Sequence, residues 1–211
     1  MTPEYSIAPN KDAFIADPLG YGSLAWYKWA LFQTMAGFPV DLEKGPLSTD
    51  LKSPILWLTH ARAMSTAAAT LLKEDPIFDA LPDSMQGISH CQYFGIALML
   101  VGYSLEVCLK AMIIINIGEA EYIANEKKHQ HHRLNELAEF IPDLSDKDKA
   151  ILKALSHYVR WAGRYPDPGF GKEYRAEEIF TLAEKNKITA HDIMTLSTRI
   201  MSYTKHVVDK A

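Results

Sequence analysis

The sequence predicts an all-α protein, and three observations lead to that fold class. Apolar residues recur at helical spacing in successive segments, as Leu134, Leu137 and Phe140 do. Helix start and stop signals bracket these segments, for example Ser53-Pro54 at one start and Gly118 at one end. No segment shows the alternation of a strand, and the chain contains no internal repeat.

Each element is justified in order along the chain. Residues 1–20, with three prolines and Gly20, predict an irregular arm. Helical spacing, capping residues and breakers then predict helices at 23–36, 53–73, 89–117, 133–141, 145–164, 176–184 and 189–208. We expect one domain, because 211 residues would crowd two complete ones. Its core is expected at 89–211, with additional helices at 21–88.

Composition indicates an ordinary folded protein without a bulk nucleic-acid signature. Hydrophobic residues make up 48% of the chain, charged residues 23%, and the formal net charge is −4. A general nucleic-acid binder usually carries a basic surplus, so only a local basic patch stays open. Two cysteines, Cys91 and Cys108, form no disulfide framework, and the N-terminus lacks a signal-peptide pattern. We therefore expect a cytoplasmic location.

The apolar helix at 89–117 carries an unusual pair of charges. Residues 94–117 are long enough to span a bilayer, but Glu106 and Lys110 lie near the middle. Because intramembrane charges are rare, we predict a core helix and no membrane partner. Glu106 and Lys110 are four residues apart and share one helix face, so they form either a buried polar seam or the wall of a site.

Three motifs follow one another in the second half of the chain. They are Tyr-Ser-Leu-Glu-Val-Cys-Leu-Lys-Ala at 103–111, His-Arg-Leu-Asn-Glu-Leu at 132–137 and Trp-Ala-Gly-Arg-Tyr-Pro at 161–166. Taken in this order, they resemble the HEPN superfamily of helical nucleotide-binding domains over roughly residues 90–210. The resemblance implies an up-and-down helical bundle of the HEPN type, preceded here by the additional N-terminal helices, that forms a homodimer.

The resemblance also implies an activity found in some members, a metal-independent RNase used in phage defence or as a toxin. In those members an arginine and a histidine on a late helix supply the catalytic pair across the dimer. Arg199 and His206 match that motif, and seven residues return to within about 20° of the same face, roughly 10 Å along the axis. The alternative is that Arg199 is a surface charge and His206 interacts with the helix dipole.

The other candidate residues would bind a ligand. Trp161, Arg164 and Tyr165 could form a platform that stacks on bases and contacts phosphate. Alternatively, Arg164 neutralises the helix C-terminus and Trp161 belongs to the core. The remaining candidates are Glu106, Lys110 and His132.

The segment His129-Gln130-His131-His132 raises the question of a metal site. Neutral imidazole is a common ligand for zinc or nickel, but adjacent histidines before a helix lack the i, i+4 spacing of a helical site. We predict no metal and no cofactor. In this interpretation His132 caps the following helix, while His129 and His131 are solvated.

These observations favour a HEPN-like bacterial protein that binds nucleotides or RNA, with the endoribonuclease activity as one form of that hypothesis. The alternative is a non-catalytic nucleotide-binding or assembly module. A metal-dependent hydrolase built on the histidine cluster is the third hypothesis. A nucleotidyltransferase or an antitoxin is a further candidate partner.

Overall fold

The computed structural model describes residues 6–210, and in these residues every regular element is helical. The all-α class is therefore confirmed for the described chain. The helices are α1 Lys11–Ala16, α2 Pro18–Gly22, α3 Ala25–Met35, α4 Pro54–Lys73, α5 Asp83–Ile117, α6 Glu119–Ala124, α7 Glu126–His129, α8 Leu134–Leu137, α9 Asp146–His157, α10 Tyr174–Asn186 and α11 Ala190–Val208. A 3₁₀ turn at Asp50–Lys52 and a π-helical segment at Tyr158–Ala162 complete them.

By its contacts the chain divides into two compact units, with the boundary between Trp57 and Leu58. The single domain predicted above stays a prediction. The first unit has its own small core, in which Trp26, Trp29 and Ala30 of α3 pack with partly buried neighbours. The expected helix at 23–36 is thus present, with bounds close to those predicted.

The N-terminal arm differs from the prediction, because its described part contains two short helices. The Asn10 side chain accepts a hydrogen bond from the Ala13 N–H and caps α1. The Asp17 side chain accepts one from the Gly20 N–H and caps α2, with Pro18 in the first turn. The prolines that suggested an irregular arm therefore start a helix instead. Residues 1–5 of the predicted arm lie outside the described residues.

The second unit is built around α5. Twelve residues of this helix are buried, and its apolar side chains join those of α4, α8, α9 and α11 in one core. The predicted helix began at residue 89, whereas α5 begins at Asp83, directly after Pro82. Gly118 ends it with a φ of 85°, a left-handed conformation that glycine adopts without strain.

The α5 helix is also long and apolar enough, by length and composition, to cross a membrane. In the structure 56% of its most apolar stretch is buried inside the protein. This burial is what a core helix requires, and the absence of a membrane partner stays a prediction.

Two later segments depart from the predicted helices in ways that affect the site. The helix expected at 133–141 forms only the single turn of α8 and continues as tight turns to Ile141, ahead of Pro142. The helix expected to run to residue 164 changes to π geometry after His157. Such π segments are uncommon and often occur near functional sites.

Close packing at two glycines sets the direction of this segment against α5. A methyl group on Gly102 would lie 2.6 Å from Val159 Cγ2, and one on Gly163 would lie 2.3 Å from Met99 Cβ. Because the later residue on α5 faces the earlier residue on the other element, the two run antiparallel. Residue 163 therefore lies about two helical turns, roughly 10 Å, from the level of Glu106.

Candidate functional site

A buried carboxylate connects the first two sequence motifs. The Lys110 ammonium donates a hydrogen bond to Glu106 Oε1 at 2.7 Å, and the His132 Nδ1–H donates one to Glu106 Oε2 at 2.8 Å. Glu106 and Lys110 lie one turn apart on α5, whereas His132 comes from the loop before α8. Both oxygens of the carboxylate are thus used.

The three side chains differ in their access to solvent. The Glu106 side chain is 6% exposed and that of Lys110 is 11% exposed, while that of His132 is 44% exposed. Because the carboxylate accepts from Nδ1, a neutral His132 presents Nε2 as a hydrogen-bond acceptor. A buried carboxylate that orients a histidine in this way suits proton transfer or ligand binding at Nε2.

Tyr122 and His129 lie near this network. Burial and the negative charges of Glu126 and Glu106 raise the pKa of Tyr122 to about 12. The His129 ring stacks on the Tyr122 ring, with 5.2 Å between centroids and 12° between planes. Burial, Lys128 and Lys110 lower the pKa of His129, so its neutral form is favoured.

A cavity of about 450 Å³ opens beside these residues, at the C-terminal end of α5. This volume falls in the range of small-molecule sites. Its wall combines basic, acidic, amide and apolar side chains, contributed by α5, α7, α8 and the intervening loop: Ile113, Asn116, Ile117, Lys128, His129, His131, Arg133, Glu136, Leu137, Glu139 and Phe140.

The charges on the cavity wall are partly paired. Arg133 Nε donates to Glu136 Oε2 at 2.9 Å, and His131 Nε2 lies 4.0 Å from the same oxygen. Burial and the positive charge of Arg133 lower the pKa of His131, with Lys110 acting in the same direction and Glu136 opposing it. Lys128 and Arg133 therefore supply the permanent positive charge, and the histidines supply hydrogen bonds and a place for added protons.

The histidine cluster divides among different partners. His129 stacks on Tyr122, the His131 Nδ1 accepts from the Arg133 N–H, and His132 binds Glu106. Within residues 6–210, no group of three or more His, Cys, Asp or Glu side chains is arranged to hold a metal ion. The stacking of His129 and the bond to His132 both differ from the solvated or capping roles expected for these residues, because the neighbouring helices supply partners.

The third motif lies at a different place. Arg164 donates to the Arg160 carbonyl and lies over the Tyr165 ring, with its guanidinium carbon 5.4 Å from the centroid. The Trp161 indole N–H donates to His157 Nδ1 at 3.3 Å. Arg164 thus bonds to its own helix end, about 10 Å along α5 from the level of Glu106.

Sequence reasoning missed a buried histidine beside this motif. His157 Nε2 lies 3.1 Å from Glu178 Oε2 on α10, and Lys153 pairs with the same carboxylate at 2.5 Å. Burial lowers the pKa of His157 despite Glu178, and Arg160 and Arg175 lower it further. His157 and Glu178 are 21 residues apart, so no local spacing could have indicated their contact.

Arg199 and His206 are both exposed on α11. Arg199 donates to Asp148 Oδ2 at 2.6 Å, and the same Asp148 accepts from Ser145 in the capping box of α9. The His206 ring lies 5.0 Å from that of Tyr203. Seven residues separate Arg199 from His206, which is about 10 Å along the helix, so their distance matches the spacing expected within one chain.

Comparisons of the chain with protein-family models, with curated proteins and with solved structures find no match.

Proposed function

We propose that this protein is a HEPN-like helical module that binds nucleotides or RNA, and that the cavity at the end of α5 is its nucleotide site. The observation that carries the proposal is the Glu106 carboxylate, which joins Lys110 of the first motif to His132 of the second. Two landmarks that define the resemblance in the sequence are thus parts of one polar network.

The cavity wall beside the network has the chemistry that a nucleotide needs. Lys128 and Arg133 can contact phosphate, and Asn116 can hydrogen-bond a base edge. Ile113 and Phe140 provide apolar surface for a base or sugar. The Glu106 network would hold the loop of His131 and Arg133 against α5, so that the wall is formed before a ligand arrives.

Calorimetric titration of the full chain with ATP, GTP, AMP and inorganic phosphate tests this site. We expect at least one nucleotide to bind, and Lys128→Gln/Arg133→Gln to weaken it about tenfold or more, because two charge-assisted hydrogen bonds are lost. Lys127→Gln is the matched control, since Lys127 is the exposed neighbour that does not line the cavity. Absence of binding by all four compounds, or equal affinity in the double variant, contradicts the proposal.

A metal-independent RNase is the second candidate function, and the exposure of both Arg199 and His206 on α11 favours it. His206 would act as general base or acid at the ribose 2′-hydroxyl, and Arg199 would stabilise the developing phosphorane charge. A symmetric homodimer would bring Arg199 of one protomer beside the His of the other. Cleavage would then leave cyclic phosphate ends.

Labelled RNA incubated with EDTA distinguishes this activity from simple binding. We expect cleavage by the wild type and none by His206→Ala. Arg199→Lys is preferable to removal of the side chain, because Arg199 also pairs with Asp148. If the pair acts across a dimer, equal mixing of the two inactive variants after exchange restores about a quarter of the activity, since half the dimers carry one intact site of two. No cleavage by the wild type, or equal cleavage by His206→Ala, removes this candidate.

A further inference from the structure

A second surface of the same unit combines exposed aromatic rings with arginines. Tyr165, Phe170, Tyr174 and Phe180 are the exposed aromatic side chains among the described residues from Leu58 onward. All of them lie within sixteen residues, and Phe170 is fully exposed. Exposing so much apolar ring surface in one place is costly for a protein unless it serves a ligand.

Cations are concentrated in the same segment. Three of the six arginines of the chain, Arg160, Arg164 and Arg175, fall within residues 160–175, although the whole chain is acidic. The guanidinium of Arg164 lies 5.4 Å from the centre of the Tyr165 ring, and that of Arg175 lies 6.0 Å from the centre of the Tyr174 ring. Each pair presents an aromatic face beside a positive charge.

The fold brings the two ends of this segment together. Arg160 lies in the π-helical segment and Arg175 in the first turn of α10. Both guanidinium groups lower the pKa of the buried His157, which places them within electrostatic reach of one imidazole. Glu178, three residues after Arg175, binds that imidazole directly. The loop that carries Phe170 therefore projects from one end of the α9 and α10 pair.

We propose that residues 160–175 form a binding surface for single-stranded nucleic acid, in which unpaired bases stack on Phe170, Tyr165 and Tyr174 while the arginines contact the phosphates. Base stacking on aromatic rings tolerates any sequence, and arginine serves both as a phosphate ligand and as a stacking partner. Positive charge beside the rings favours a polyanion over an apolar protein partner. The surface extends the proposed function from one nucleotide to a strand, and it shares with that proposal only the class of ligand.

Fluorescence anisotropy with a labelled twelve-nucleotide single strand, as RNA and as DNA, tests the surface on the full chain. Phe170→Leu keeps an apolar side chain but removes the ring, so we expect at least about fivefold weaker binding, the loss of one stacked base. Phe170→Trp should bind as tightly as the wild type or more tightly. Phe38→Ala, at an exposed ring in the first unit, is the matched control and should keep wild-type affinity.

Salt dependence tests the phosphate contacts. Arg164→Gln/Arg175→Gln should reduce the slope of log affinity against log salt by about 1.4, which is roughly 0.7 for each phosphate released by a single strand. A duplex of the same sequence should bind more weakly, because its bases are already stacked. Circular dichroism verifies that each variant is folded.

Several results would overturn the surface. They are absence of single-strand binding at low salt, equal affinity of Phe170→Leu and wild type, or equal affinity for strand and duplex. Lys128→Gln/Arg133→Gln separates the two proposals: strand binding lost in that variant but retained in Phe170→Leu would assign the strand to the cavity. Strand binding that depends on Phe170 alone would stand even if every nucleotide titration failed.

Discussion

At the scale of single residues, the buried Glu106 has the largest energetic consequence. Removing a charge from water is costly, and the cost is offset only when partners satisfy the group. Lys110 and His132 use both carboxylate oxygens of Glu106. The network is therefore self-consistent as a whole, and it becomes unfavourable when one member is removed.

We predict that Glu106→Gln lowers the free energy of unfolding by about 3 kcal/mol or more, because it leaves the Lys110 ammonium buried without a counter-charge. Glu106→Gln/Lys110→Met should be more stable than Glu106→Gln alone. The exposed pair of Arg133 and Glu136 provides the control, since Glu136→Gln should cost no more than about 1 kcal/mol. Urea unfolding measures all three variants, and equal losses at Glu106 and Glu136 would contradict the prediction.

At the scale of the elements, the approach of α5 to the π-helical segment depends on absent side chains. Gly102 lies in the middle of α5, where alanine would otherwise be favoured by about 1 kcal/mol. There the Val159 methyl group and the Leu155 carbonyl occupy the space that a Cβ would take. This contact sets how closely the two elements pack and hence the direction in which Arg164 leaves the π segment.

Gly102→Ala should therefore destabilise the protein by about 1–3 kcal/mol, the usual cost of overpacking. Gly87→Ala is a control within the same helix, because an added methyl group there meets nothing within 4 Å. It should be stabilising by about 0.5–1 kcal/mol. Thermal and urea unfolding compare the two variants, and a change of the same sign in both would show that the close contact has no energetic weight.

At the scale of the whole molecule, stability depends on pH through its buried histidines. Burial is the first cause that lowers the pKa values of His129, His131 and His157. The folded protein therefore binds fewer protons than the unfolded chain once the pH approaches the ordinary histidine value of about 6.5. The free energy of unfolding should be fully retained above that value and should fall as the pH decreases through it.

Urea midpoints at pH 7.5, 6.5 and 5.5, at constant ionic strength, measure this effect. His157→Gln should show a smaller decrease between pH 6.5 and 5.5 than the wild type, because the buried titrating group is gone while its bonds to Trp161 and Glu178 can be kept. His60→Gln, at an exposed histidine, is the matched control. An identical decrease in wild type and His157→Gln would show that His157 does not contribute. Loss of the Asp148 and Asp192 carboxylates follows at still lower pH, since their pKa values are lowered in the folded protein.

Local signals were sufficient for most elements and insufficient for their ends. The capping box of Thr189 and Asp192 and the left-handed Gly118 lie where the sequence indicated a start and a stop. The arm was wrongly predicted as irregular, because Asn10 and Asp17 act as caps only when the chain already turns there. In the same way, the α8 helix was predicted too long, since periodicity cannot show where turns replace helical bonds.

By itself the sequence determined the helical class, the order of the helices and the one-turn pairing of Glu106 with Lys110, because each of these depends on residues close together in the chain. Only the tertiary structure decided that His132 binds Glu106, that Arg164 lies about two turns away from it, and that Glu178 binds His157. Such contacts depend on how helices pack over separations of 20 residues or more, which no local spacing encodes. The nucleotide cavity and the aromatic surface are two such consequences of packing, and their functions are proposals that the experiments above decide.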